Sequence, residues 1–248
     1  MAVDFAANYL NYFSRSASLI SNTDPRPISC HIRIKPNANA DRYVALNNNN
    51  AGGPRLLFYL YENGANTEMR SYNGGHVSSS SFSMSTTKFE SFLWTTVDNG
   101  GADDHAWFRE GVAIGTGSRT PDGDTENGCL IGSLTGTVSS WDINGDACEF
   151  AVWNAQLDVN DAAALESGVS ADQIRPDKLV AYLPMLDNSG NDRILPAWTK
   201  NGTLLTVDHA PIIRRSSQIL QFPVAGFIPS GGTYTPYYYH TLLTAGTL

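Results

Sequence analysis

SSWDINGDACEFAVWNAQLDVNDAAALESG, residues Ser139 to Gly168, reads in order as a loop, a buried strand and a short capped helix. Asn144-Gly145 is a turn dipeptide. Cys148 to Trp153 then places Cys, Phe, Val and Trp on adjacent and alternating positions, the pattern of a strand covered on both faces and central in its sheet. After it, Asp158 can accept hydrogen bonds from the free amides that open a helix. Ala162, Ala163, Ala164 and Leu165 favour that helix, and Gly168 suits its left-handed stop. One short, isolated helix is expected in a chain otherwise made of strands.

Working outward, Ile28 to Lys35 alternates Ile28, Cys30, Ile32 and Ile34 against Ser29, His31, Arg33 and Lys35, which predicts one buried and one wet face. Val3 to Tyr12 reads as a first strand and Arg42 to Leu46 as a short one. Arg55 to Glu62 and Thr67 to Tyr72 flank Asn63-Gly64 as a hairpin. Phe89 to Val97 and His105 to Glu110 read as paired strands, Val112 to Gly115 as the next. Leu179 to Pro184 and Gly202 to Val207 read as late strands. With 248 residues, 42% hydrophobic and 16% charged, the chain can bury one large core, and its 22 glycines suit short strands joined by tight turns. From Ser216 onward Pro223, Pro229 and Pro236 interrupt every apolar run, so neither helix nor central strand can continue. The expected organisation is a sandwich over residues 1–215 and an extended Pro/Tyr-rich arm over residues 216–248.

The strand-helix order resembles the closing segment of the concanavalin A-like jelly roll of laminin G, pentraxin and related lectin-like domains. The residues that carry the likeness are Glu149 to Asn154, Leu157, Leu165 and Gly168, together with Ile28 to Pro36, Trp107 to Gly115 and Leu130-Ile131-Gly132. The resemblance implies an all-β fold: an antiparallel two-sheet jelly-roll sandwich with one short helix and an extended C-terminal arm. The stretches Gly168 to Tyr182 and Asp208 to Pro211 are also similar to small laminin G-like proteins encoded among the structural genes of tailed bacteriophages. That likeness implies a virion structural or adhesion subunit, made in the host cytoplasm and contacting other virion subunits as a homo-oligomer.

A net charge of -8 excludes a broad basic field, so nucleic acid is not an expected partner. The start MAVDFAANYLNYF lacks the basic and apolar runs of a signal peptide, and no stretch is long enough to cross a bilayer. Cys30, Cys129 and Cys148 are odd in number and lack paired spacing; Cys30 and Cys148 read as buried hydrophobes. No Gly-x-Ser-x-Gly elbow occurs, and the five histidines show no spacing with a nucleophile. The Glu-x-Asp-x-x-Glu strand that the resemblance would supply to a laminarinase-like glycosidase is missing, and the chain is read as non-enzymatic.

Binding residues are the remaining chemistry. Trp141 beside Asp142 and Asn144 combines an aromatic platform with hydrogen-bonding groups, the set a sugar needs. Calcium wants several oxygen ligands, and Asp122, Asp124 and Glu126, then Asp142 and Asp146, are the candidates. Phe222, Phe227, Tyr234, Tyr237, Tyr238 and Tyr239 of the arm are candidates for burial against a neighbouring subunit. The second functional reading is accordingly a receptor-recognition module that binds a cell-surface glycan, with calcium as a candidate ion.

Overall fold

The turn-bounded apolar runs form fifteen strands among the residues described by the computed structural model: 2–5, 11–16, 19, 27–37, 42–47, 56–63, 66–72, 75–120, 128–134, 143–186, 189–195, 198–202 and 204–207. All of these lie in the compact unit Met1–Arg214. The arm residues Phe222, Phe227, Tyr234, Tyr237, Tyr238 and Tyr239 lie outside the described residues, as do Asp208 to Pro211.

The strands make two antiparallel sheets. The first contains β1 (Ala2–Asp4), β3 (Ile28–Pro36), β8 (Glu90–Asp98), β9 (Asp103–Arg109), β10 (Val112–Arg119), β12 (Gly145–Trp153), β13 (Leu179–Leu183) and β15 (Leu205–Val207), in the order β10-β9-β8-β3-β12-β1-β15. β12 is interior, as its composition demands: β3 runs along one side, β1 pairs with its first half and β13 with its second. The second sheet has β2 (Tyr12–Arg15), β4 (Arg42–Asn47), β5 (Leu57–Asn63), β6 (Asn66–Tyr72), β7 (His76–Ser78), β11 (Cys129–Ile131) and β14 (Thr199–Asn201), in the order β14-β2-β11-β4-β5-β6-β7.

Between the sheets Ile28, Cys30, Ile32, Ile34, Phe58, Phe92, Trp94, Trp107 and Phe150 are fully buried. Each such side chain contributes about 1.5–3 kcal/mol by leaving water. The indoles satisfy their polar atoms across the sandwich, Trp94 Nε1 donating to Arg70 O at 3.0 Å and Trp107 Nε1 to Ser71 Oγ at 3.2 Å. All three cysteines are buried and none forms a disulfide; Cys30 and Cys148 pack in the core as the small apolar groups expected of them.

The one α-helix among the described residues, α1 (Val159–Glu166), is too short to persist alone and is held at both ends. Asp158 Oδ1 accepts from the amides of Asn160 (2.8 Å) and Asp161 (3.1 Å), while Asp161 Oδ2 accepts from the Asp158 amide at 3.0 Å. At the other end Gly168 takes φ 89° and Arg33 Nη2 donates to the Leu165 carbonyl. Ala162 and Leu165 press onto the outer face of the first sheet against Leu93, Phe108, Trp153 and Tyr182, forming a second apolar layer.

Three expectations need correction. The second face of β3 is not wet: Ser29, His31 and Arg33 are buried beneath the segment that carries α1. Ser29 Oγ donates to Ala155 O at 2.7 Å and accepts from the Leu157 amide at 2.9 Å. Asn144-Gly145 is not a turn. Gly145 opens β12, where a Cβ would stand 2.4 Å from Lys35 O, so glycine is needed for close strand approach. The first predicted strand is two, β1 and β2, one in each sheet.

Candidate functional site

The outer face of the second sheet concentrates groups suited to binding. In the β5–β6 hairpin Tyr61 pairs with Glu68, Tyr59 with Arg70 and Leu57 with Tyr72; in β6–β7, Tyr72 pairs with His76 and Arg70 with Ser78. Because alternate residues share a face, Tyr59, Tyr61, Glu68, Arg70, Tyr72 and His76 line one side while Phe58, Leu60 and Met69 enter the core. The apolar floor is Val44, Leu57, Tyr59 and Leu134, with Tyr61 and Tyr72 packed against it, half-buried.

These side chains hold one another in place. The Tyr59 hydroxyl and His76 Nδ1 share a hydrogen bond of 2.7 Å, and the His76 ring stands edge-on to Tyr72 with centroids 4.9 Å apart. The Arg70 guanidinium lies 3.8 Å from the Tyr61 ring centroid and donates to Glu68 Oε2 at 2.9 Å. Burial works against the Arg70 charge, but hydrogen bonds and charge from Glu68 and Tyr59 outweigh it and raise its pKa. The result is a preorganised aromatic surface with a locally neutralised ion pair, a form of site that accepts a flat apolar ring face bordered by hydroxyls.

Of the residues predicted from sequence, Asn144 and Asp146 are described. The Asn144 carbonyl accepts from the Asn37 amide at 3.1 Å. Asp146 is buried in β12 and its carboxylate is paired with Lys35. Trp141 and Asp142 lie outside the described residues, as do Asp122, Asp124 and Glu126. Leu134, the last described residue before Trp141, belongs to the apolar floor of the tyrosine face. Among the described residues no group of three His, Cys, Asp or Glu side chains gathers in a way that could hold a metal ion.

A buried polar chain crosses the outer face of the first sheet. Tyr182 Oη donates to the Glu149 carboxylate, 2.9 and 3.0 Å from its two oxygens, and lies 3.0 Å from Ser170 Oγ. Ser170 Oγ donates to Asp172 at 2.5 Å, and Arg193 reaches the same carboxylate at 2.7 Å. Glu149 sits at a bulge with φ 56°, a left-handed conformation that turns its carboxyl toward the 3-10 turn Ala171–Gln173. Burial pushes its pKa from 4.5 up to about 7, against Tyr182, Arg33 and the Ala171 amide, which all favour the ionised form. His31 is held between Glu149 O and Ser91 Oγ, both at 3.0 Å; burial and the Arg33 charge push it down to about 3. This chain ties the helix segment to the sheet.

No family profile and no characterised protein sequence matches the chain. Among solved structures, a candidate carbohydrate-binding protein from Bacteroides ovatus superposes with a TM-score of 0.62 at 16% identity, over 86% of this chain and 61% of that one. The chain therefore spans less than two thirds of that relative. A heptameric SAP-like pentraxin from Limulus polyphemus gives a TM-score of 0.48 at 12% identity, over 65% of this chain and 84% of that one. Laminin alpha1 domains LG4-5 from mouse give 0.45 at 16%, over 64% and 43%. The likeness to the Bacteroides ovatus protein concerns architecture alone, and together with the two antiparallel sheets and the short helix among the described residues it shows a concanavalin A-like jelly-roll sandwich.

Proposed function

We propose that this domain is a glycan-binding module whose recognition surface is the tyrosine face of the second sheet. The observation that carries the reading is the grouping of Tyr59, Tyr61, Tyr72, His76 and the Glu68–Arg70 pair on one outer face, fixed by their own hydrogen bonds and ring contacts. Sugars present flat C–H faces edged by hydroxyls, and half-buried tyrosines beside charged groups complement both parts. The carbohydrate-binding description of the Bacteroides ovatus protein that shares this architecture supports the same class of ligand.

The test is a glycan array followed by calorimetry on the full chain and on Tyr61→Ala and Tyr72→Ala. Loss of one ring removes a stacking contribution of about 1 kcal/mol, so each variant should bind at least about fivefold more weakly. Array silence, or full affinity in both variants, would refute the assignment. Running the array with calcium and with a chelator asks whether Asp122, Asp124, Glu126 and Asp142 take part.

A further inference from the structure

A cleft lies on the outer face of the first sheet at its β9–β10 edge. It has a volume of about 500 Å³ and is lined by Asp104, Ala106, Thr116, Gly117, Ser118 and Gln156, with His105 behind them stacked on Trp107. Register builds it: Ala106 pairs with Thr95 on one side and Thr116 on the other, and Asp104 pairs with Val97 and Ser118, so two rows of side chains emerge on one face. Ala106 keeps the floor low, while hydroxyl, carboxylate and amide groups stand around it.

The hydrogen-bonding capacity of this rim is mostly unspent. Asp104 Oδ2 accepts from Asn99 Nδ2 at 2.8 Å, which orients the carboxylate and leaves Oδ1 without a hydrogen bond among the described residues. Thr116 and Ser118 are exposed on the edge strand, and their hydroxyls make no hydrogen bond among the described residues. Gln156 is fixed through its backbone, whose carbonyl accepts from Arg175 Nη1 at 3.0 Å, while its side-chain amide is unengaged among those residues. In the floor row, the buried Thr95 hydroxyl likewise has no partner among them. Arg119, the next residue along β10, carries its guanidinium to Gly75, where a Cβ would meet it.

We infer that this cleft is a binding site for a neutral polyhydroxylated ligand, a mono- or disaccharide, separate from the tyrosine face. The size falls within the range of small-molecule sites, roughly 300–1,000 Å³. A carboxylate, two hydroxyls and an amide match the alternating donors and acceptors of a sugar ring. The Asp104 carboxylate disfavours an anionic one.

The experiment is amide NMR on the full chain, titrated with methyl glycosides of glucose, galactose, mannose and N-acetylglucosamine, with lactose and maltose, and with N-acetylneuraminic acid as the acidic control. At least one neutral probe should shift the Thr116, Gly117, Ser118 and Gln156 signals, and N-acetylneuraminic acid should not. Thr116→Arg and Ser118→Arg, both exposed on an edge strand, should each weaken these shifts at least about tenfold while any shifts at Tyr61 and Tyr72 persist. Silence at the cleft from every neutral probe, equal response to the acidic sugar, or undiminished shifts in both arginine variants would overturn the inference. Because the two surfaces report through different residues, failure here and failure of the tyrosine-face reading are read separately.

Discussion

Glu149→Gln tests the polar chain beneath α1 through a pH signature that packing loss cannot imitate. Burial holds the native carboxyl at about 7 while the unfolded chain titrates near 4.5, so between those values the folded state keeps a proton that the unfolded state has released. The residue's contribution to stability is therefore fully present below 4.5 and is lost as pH rises through about 7. Over that interval, at about 1.4 kcal/mol per pH unit, the loss comes to about 3 kcal/mol. Glutamine does not titrate, and its amide oxygen can still accept from Tyr182; any mismatch of its NH₂ group adds a constant offset. The difference between variant and wild type should accordingly move by about 3 kcal/mol in favour of glutamine from pH 4.5 to pH 8. For a domain of this size that is a relative gain in Tm of about 6–12 °C. Urea denaturation of both proteins at pH 4.5, 6 and 8 measures it, and every other titrating group cancels in the comparison. A difference that stays flat with pH, or that moves toward wild type, would refute the argument.

The buried histidines set the acid limb. His31, pushed down to about 3, and His105, pushed down by burial to about 4 against the charge of Asp104, stay neutral in the fold, whereas an unfolded imidazole gains its proton near 6.5. Their contribution is present above 6.5 and is lost as pH falls toward 4, so neither imidazole resonance should titrate between pH 8 and 5 in the folded protein; a midpoint near 6.5 for either would show that it is not buried neutral. Asp158→Ala removes the acceptor for two amides of α1 and a partner of Arg175. It should cost about 1 kcal/mol in chemical denaturation, and an unchanged midpoint would show that Ala162 and Leu165 alone seat the helix.

How far the sequence discloses this structure depends on whether a signal is local. The α1 segment was legible because its cap, its alanines and Gly168 act within a few residues of one another, and each takes its expected part. The second face of β3 was not. Whether Ser29, His31 and Arg33 meet water depends on a helix segment more than a hundred residues away, and polar residues that find partners there read the same as polar residues in solvent. Gly168 to Tyr182 likewise builds the helix stop, the 3-10 turn and β13, which tie the helix to the sheet. Likeness along that stretch reports on the fold and says nothing of a virion role.

The tyrosine face is hidden in the sequence for a different reason. In LFYLYEN both parities are apolar, so alternation cannot say which set, Phe58 and Leu60 or Tyr59 and Tyr61, enters the core. The discriminating signal lies in the partner strand, where Glu68 and Arg70 share a parity that excludes them from the core. The Asn63–Asn66 register then hands that parity to Tyr61 and Tyr59. Reading a hairpin as two strings joined by a register, instead of two separate strands, would have placed the aromatic pair beside the ion pair from sequence alone. The same reasoning places Asp104 with Ser118 and Ala106 with Thr116 across β9 and β10, so both candidate surfaces arise from cross-strand pairing and neither from a contiguous motif.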